Sequence, residues 1–410
     1  VIPDVIVIGA GAAGCSVAAH LLGLDPGLSI ALLDRHHVGA GSTSRSTAAF
    51  RHQWSVPAHV AFSRYASGEA DRLAGAGFPI HFRRNGYLFL FTEAGVLERA
   101  AVRVQRQRRL GVAGVEVLPP AALPDRVPCG PHLATDRLAG ATWGPHDGFL
   151  DPLALAQAYL EEAKQRGADY VPGRDVAALA VHRGGATGVR LADGSILSAG
   201  SVVLCAGVWG RGLAAASGLT LPVVPAKRYL YHSRPLRELE VARWPMVIAP
   251  GGAHLRPAEG NTLMMAWERR PDPLDPCPDP EVLWERQDVV DPGFDAGPSG
   301  YGVDILTELS RVLPVLADSV ALFRATCGWY CVTPDHKAIL GEDPRCRRLF
   351  HATGFSGHGI MHAPATGLTL AERVLDRPPT LLGVRELEEH FGLAPLLDGR
   401  PREPVEDMVL

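Results

Sequence analysis

Asp4-Val-Ile-Val-Ile8 runs directly into Gly9-Ala-Gly11-Ala-Ala-Gly14, and a small-residue segment from Cys15 to Gly23 follows. The β-branched run predicts a short buried strand, the glycines a tight turn and the small residues a helix. Gly9 permits the turn, Gly11 lets the backbone approach a pyrophosphate and Gly14 allows close helix-to-strand packing, while the helix N-terminus faces phosphate charge. Pro26-Gly27 then breaks the helix, and Leu28 to Leu33 predicts a second buried strand ending in Asp34, twenty residues beyond Gly14. Asp34 is placed to accept ribose hydroxyl hydrogen bonds. A glycine fingerprint alone is a weak signal and also fits a turn in some other α/β protein. With the strand before it, the helix after it and the acid on cue, it predicts a Rossmann-type dinucleotide-binding unit.

The composition sets the frame around that unit. The 410 residues, 47% hydrophobic and 20% charged, are enough for a large core and two domains. Forty Lys and Arg against forty-four Asp and Glu leave a net charge of -4, which argues against a polyanion-binding surface and so against nucleic acid as a partner. Seven cysteines, at 15, 129, 205, 277, 327, 331 and 346, are odd in number and contain no CxxC pair. They indicate neither a disulfide framework nor a zinc site, and no metal is expected. The apolar N-terminus lacks the basic leader of a signal peptide, although a chain starting at Val1 leaves an earlier leader open. No stretch reaches the roughly 20 apolar residues of a membrane span. A cytoplasmic location is the expectation.

Three further segments bear on the cofactor. Gly39-Ala-Gly-Ser-Thr-Ser-Arg-Ser-Thr47, leading to Phe50-Arg51-His52, is a glycine- and hydroxyl-rich loop suited to wrapping a ribose, ribityl chain or pyrophosphate. Ser201-Val-Val-Leu-Cys-Ala-Gly-Val-Trp-Gly210 predicts a strand entering a small-residue turn, preceded by a hairpin turning at Asp193-Gly194. Leu349-Phe-His-Ala-Thr-Gly354-Phe-Ser-Gly357-His358-Gly359-Ile-Met361 predicts a strand, a glycine-rich turn and then a helix through Thr366 to Leu375.

Together these segments resemble the D-amino-acid oxidase-like flavoproteins, a family that includes glycine oxidase, sarcosine oxidase and the sarcosine and dimethylglycine dehydrogenases. The resemblance runs to about residue 380, and GFSGHG at 354–359 is its most specific match. It implies FAD, held non-covalently. The implied cofactor contacts are Gly9, Gly11, Gly14, Asp34 and Arg35 in the fingerprint, and Gly41, Ser42, Thr43, Arg45, Ser46 and Thr47 in the loop. Val176, Ala206, Gly207, Trp209 and Gly328 follow, and Gly354, Gly357, His358, Gly359 and Ile360 complete the set. Thr333-Pro334-Asp335 is similar to the family's TPD element beside the flavin ring.

The fold expected is α/β, a Rossmann-type FAD-binding domain carrying an inserted α+β substrate domain with an antiparallel sheet. Residues 1–80, 146–222 and 325–380 are assigned to the first, 81–145 and 223–324 to the second, and 381–410 to a C-terminal tail. Pro152 and Gly167 bound a helix from Leu153 to Arg166, and Arg228–His232 and Leu263–Glu268 read as strands. The Pro- and Asp-rich residues 271–300 read as an irregular loop.

The resemblance implies transfer of hydride from the α carbon of an amine or amino acid to flavin N5, giving an imine. The substrate would be a secondary, N-methyl, glycine-like or D-amino acid, and the acceptor oxygen or an electron-transfer protein. Such chemistry needs orientation more than acid–base machinery. Arg51, ten residues after Gly41, matches a substrate-carboxylate arginine of sarcosine oxidase, with a surface salt bridge or a phosphate contact as alternatives. His358, Met361 and Trp329 join it in the catalytic set; Met361 stands where sarcosine oxidase has a cation, and His358 also fits a plain helix-cap role. The family's oxygen-activating lysine falls near Met264 or Met265, and Glu268 near an active-site histidine, which points toward a dehydrogenase. Arg45 and Gly328 occupy the places of the family's flavin-linking histidine and cysteine, and Cys327 reads as a buried structural thiol. Of Tyr229, Tyr231, Trp267, Trp329 and Tyr330, only Trp329 and Tyr330 are favoured as pocket wall, the others as core. The rival classes are a dehydrogenase subunit of an electron-transferring complex, a flavin-bearing assembly protein without turnover, and an NAD-dependent dehydrogenase. Association into an oligomer is left open.

Overall fold

A computed structural model describes residues 2–268 and 279–404. The strand Val5–Ile8, every residue of it buried, lies at the centre of a nine-stranded sheet. It pairs in parallel with Ile30–Asp34 on one side and Ser201–Leu204 on the other. Strand Asp169–Pro172 extends the first side, and Cys346–Thr353 the second. The parallel strands are apolar throughout because both faces of this sheet are covered. Helices Ala12–Leu24, Pro152–Gln165 and Gly359–Val374 pack on one face, with Val17, Leu21, Leu155 and Leu370 in their shared core. Leu179, Val189, Leu221 and Leu393 cover the other. The expected hairpin is there, Gly185–Leu191 against Ile196–Ser198.

The helix Pro152–Gln165 shows how local sequence sets a boundary. Asp151 Oδ1 accepts the Leu153 and Ala154 N–H groups at 2.9 and 3.0 Å, and Pro152 takes the first turn, where no N–H is needed.

An eight-stranded sheet forms the second layer, in the order 322–332, 224–233, 262–266, 254–258, 246–248, 87–91, 140–144 and 116–118. All neighbours are antiparallel except Met246–Ile248 on Tyr87–Phe91. Its core is built on Leu88, Tyr231, Leu255 and Leu263, closed by Ile305 and Leu309 of helix Tyr301–Ser310.

Two expectations are corrected here. The boundary drawn at 325 falls inside strand Leu322–Val332, which belongs to the second sheet through ten residue pairings with Val224–Ser233. Residues 279–300, read as irregular, contain the helix Pro280–Arg286; residues 271–278 lie outside the described residues. No helix among the described residues is long and apolar enough to cross a membrane.

Candidate active site

The cavity of about 780 Å³ lies between the two sheets' contributions, from the C-terminal ends of Val5–Ile8 and Ile30–Asp34 to the aromatic residues of the second sheet. Open α/β sheets bind ligands at such strand ends. The glycine turn is built for close approach. Gly9 has φ +102°, and a Cβ there would stand 2.6 Å from the Cys205 carbonyl oxygen. A Cβ on Gly14 would stand 1.9 Å from the Gly9 carbonyl oxygen, so only glycine lets helix Ala12–Leu24 meet the turn. That helix starts at Gly11 with no acid in its first turn, which leaves its positive end for an anion. Asp34 is held by the Ala10 N–H at 2.7 Å and the His36 N–H at 2.7 Å, one on each oxygen, with lone pairs left for ribose hydroxyls. Thr43 Oγ1 accepts the Ala12 N–H at 3.1 Å and so ties the hydroxyl-rich loop to the helix start. The donor set and the cradle fit a dinucleotide.

Most of the residues expected at the cofactor line this cavity: Gly9, Gly11, Asp34, Arg35, Gly41, Ser42, Thr43, Arg45, Ser46, Thr47, Val176, Ala206, Gly207, Trp209, Gly328, Gly357, Gly359 and Ile360. Trp329 lines it too, with its indole N–H donating to the Leu283 carbonyl at 2.8 Å. Gly14 and Gly354 stand behind the lining. Gly354, at φ +70°, packs where a Cβ would meet the Thr333 methyl at 2.4 Å.

Three expected catalytic residues stand elsewhere. Arg51, 3% exposed, lies with its guanidinium 3.8 Å over the Trp54 ring and is not part of the lining. Its charge nevertheless acts on His254, which does line the cavity. His358 turns into the interface between helices Pro57–Gly75 and Gly359–Val374, against His59, His362 and Trp54. Met361 is buried in the same core. The TPD element also departs from expectation: Asp335 is fully buried and grips Arg402 of the tail at 2.7 Å.

Tyr330, expected as pocket wall, lines the cavity, and the second sheet also supplies Arg228, Tyr229, His254, Trp267 and Glu268. Tyr229 and Trp267, expected in the core, are therefore wall residues, half-buried where the second sheet faces the cavity; Tyr231 is core as expected. Arg228 pairs with Glu268, lies 5.3 Å from the Tyr330 ring, and keeps its Nε buried without a partner. Met264 and Met265 are not in the lining; Ala266 to Glu268 are. Helix Pro280–Arg286 brings Glu281 to Arg35 and stacks Trp284 on His36 at 3.5 Å, covering the Asp34 end. Asp279-Pro280-Glu281 is a helix-start signal hidden in a Pro- and Asp-rich stretch. Cys327 is buried with its thiol on the Gln287 carbonyl, and burial pushes its pKa up. Cys331, not Cys327, lines the cavity. Arg45 is committed to Asp288 at 2.6 Å and to the Ala40 and Gly41 carbonyls.

Comparison with known proteins agrees with this geometry. Residues 4–373 match the family model DAO, FAD dependent oxidoreductase. A Bos taurus FAD-dependent oxidoreductase domain-containing protein 1 is 28% identical over 91% of this chain and 81% of its own. Human mitochondrial sarcosine dehydrogenase is 28% identical over 92% of this chain, which spans only 40% of that protein. Among solved structures, L-proline dehydrogenase from P. horikoshii superposes with a TM-score of 0.82 at 23% identity, covering 98% of this chain and 99% of its own. Glycine oxidase from Geobacillus kaustophilus gives 0.74 at 24% identity, covering 95% and 98%.

Proposed function

Because the chain belongs to the DAO family of FAD-dependent oxidoreductases, we propose that it oxidises the carbon–nitrogen bond of an amino acid or amine-bearing carboxylate to an imine. Its relatives are named for sarcosine, glycine and 4-methylaminobutanoate, which share a small carboxylate and an amine. Bound FAD supplies the two-electron acceptor for that oxidation. Asp34, the glycine turn and the Gly41–Thr47 loop hold it non-covalently, since Arg45 and Gly328 offer no linking atom and Cys327 faces away.

The single observation that carries the substrate reading is the Arg228–Glu268 pair in the aromatic wall that the second sheet gives the cavity. A guanidinium with one spare donor receives a carboxylate, and the neighbouring Glu268 carboxylate receives the substrate's ammonium. Arg51 adds positive field from behind His254. Tyr229, Trp267, Trp329 and Tyr330 exclude water and hold the substrate's carbon skeleton. Replacing Arg228 by Gln raises KM for a carboxylate substrate about 10- to 100-fold with a smaller effect on kcat, the size of a lost charged hydrogen bond. An unchanged KM excludes Arg228 as the carboxylate ligand.

We read the enzyme as a dehydrogenase rather than an efficient oxidase. Three cations around the aromatic end are neutralised, Arg228 by Glu268, Arg45 by Asp288 and Lys227 by Asp291, which weakens their help to superoxide formation. Turnover with an artificial dye acceptor should exceed turnover with oxygen, measured as peroxide, by at least tenfold; equal rates contradict this reading.

A further inference from the structure

His59, His358 and His362 face one another in the interface between helices Pro57–Gly75 and Gly359–Val374, outside the cavity lining. His358 caps the second helix and His362 follows four residues later, which puts both on one face. His59, near the start of the first helix, meets them there. Their exposures are 0, 3 and 1%. Each carries a buried ring nitrogen with no hydrogen-bond partner: both nitrogens of His59, Nε2 of His358 and Nδ1 of His362. The other nitrogen of His362 faces Ser63 Oγ at 3.3 Å. Four orphaned nitrogens on three rings in one buried interface call for a partner.

We propose that these three histidines bind a late first-row transition-metal ion, zinc(II) first among them. One ring nitrogen from each lies within 4.8 Å of the others. The ring centroids are 5.2, 5.0 and 4.9 Å apart. Imidazoles radiating from a tetrahedral ion with bonds of about 2.0–2.1 Å place their centroids about 5.2 Å apart.

The donor set defines the ion. Among the described residues the cluster offers three imidazole nitrogens and no carboxylate, which suits zinc, copper, cobalt or nickel rather than the oxygen-seeking magnesium and calcium. Two cations oppose a bound ion: Lys337, which acts on His59, and Arg51, which acts on all three rings and is held over Trp54, whose ring lies 5.3 Å from His358 and 5.1 Å from His362. Three protein ligands leave a fourth position, and a hydroxide there offsets that charge. Helix pairing brings His59 to the other two; no CxxC pair announces the site, and His358-Gly-Ile-Met-His362 has the histidine spacing of HExxH without its glutamate.

The test is elemental analysis of the FAD-loaded protein purified from zinc-supplemented cells. About one equivalent of zinc per chain is expected, falling to background in His59→Asn and His362→Gln while the flavin absorbance shows that both variants are folded. Chelator treatment should lower the thermal midpoint of the parent protein and leave the variants unmoved. Should either variant fail to fold, X-ray absorption on the parent decides, with a shell of three imidazoles expected. A metal-free parent protein after growth with zinc, cobalt or copper, retention of metal by both variants, or sulfur in the first shell overturns the proposal and leaves a packed cluster of neutral histidines.

Discussion

At the residue scale, the glycines of the fingerprint are not equivalent. A Cβ at Gly11 would meet only the Thr43 hydroxyl at 3.2 Å, which a side chain can yield, whereas one at Gly14 would collide with backbone at 1.9 Å. Gly14→Ala therefore drives the helix off the turn, and the protein should be recovered without flavin or not at all. Gly11→Ala should keep its fold and bind FAD more weakly, which the flavin-to-protein absorbance ratio reads. These roles were legible from spacing, as was Asp34, because the strand, turn and helix are contiguous in the chain. Arg228 and Glu268 were not assigned the roles proposed for them here. They face the same cavity because strands 224–233 and 262–266 pair, a relation set by register rather than by local spacing.

At the scale of elements, the second sheet carries a pH dependence of its own. His232, on strand Val224–Ser233, bonds Thr326 of the neighbouring strand at 3.0 Å, and burial, helped by Arg324 and Arg256, lowers its pKa to about 4. The charged form is disfavoured in the folded state, so the unfolded chain takes up this proton first. The contribution is intact above pH 6.5 and is lost as pH falls from 6.5 toward 4. Thermal midpoints measured from pH 7 to about 4.5 should fall less steeply for His232→Gln than for the parent protein; parallel curves would contradict the assignment. The parallel strands were readable as continuous apolar runs, and the hairpin at Asp193-Gly194 from its turn residues. Helix Pro280–Arg286 was not read, because its Asp-Pro start lies in a stretch whose composition signals loop.

Across the whole molecule, the tail is locked to the sheet that ends in the TPD element. Arg402 donates to both Asp335 oxygens at 2.7 Å and to the carbonyls of Lys337 and Ala338, all buried. Burial alone would raise the Asp335 carboxyl, yet the Arg402 guanidinium outweighs it and holds the carboxyl below its usual range. Removing one partner strands a buried charge, so Arg402→Met should cost about 3–5 kcal/mol in chemical denaturation. Adding Asp335→Asn to that variant should restore part of the loss; no recovery would mean that the carbonyl contacts dominate. The sequence pattern assigned residues 381–410 only to a C-terminal tail, since nothing local links residue 402 to residue 335.

The account rests on a cavity that holds both FAD and an amine-bearing carboxylate. The direct test is anaerobic addition of sarcosine, proline, glycine and a series of D-amino acids to the yellow protein, with the flavin absorbance followed in time. Bleaching by at least one of them, slowed in the Arg228→Gln variant at equal substrate, is the predicted result. A flavin that none of these compounds reduces, yet dithionite bleaches normally, would contradict amine oxidation as the function of this site.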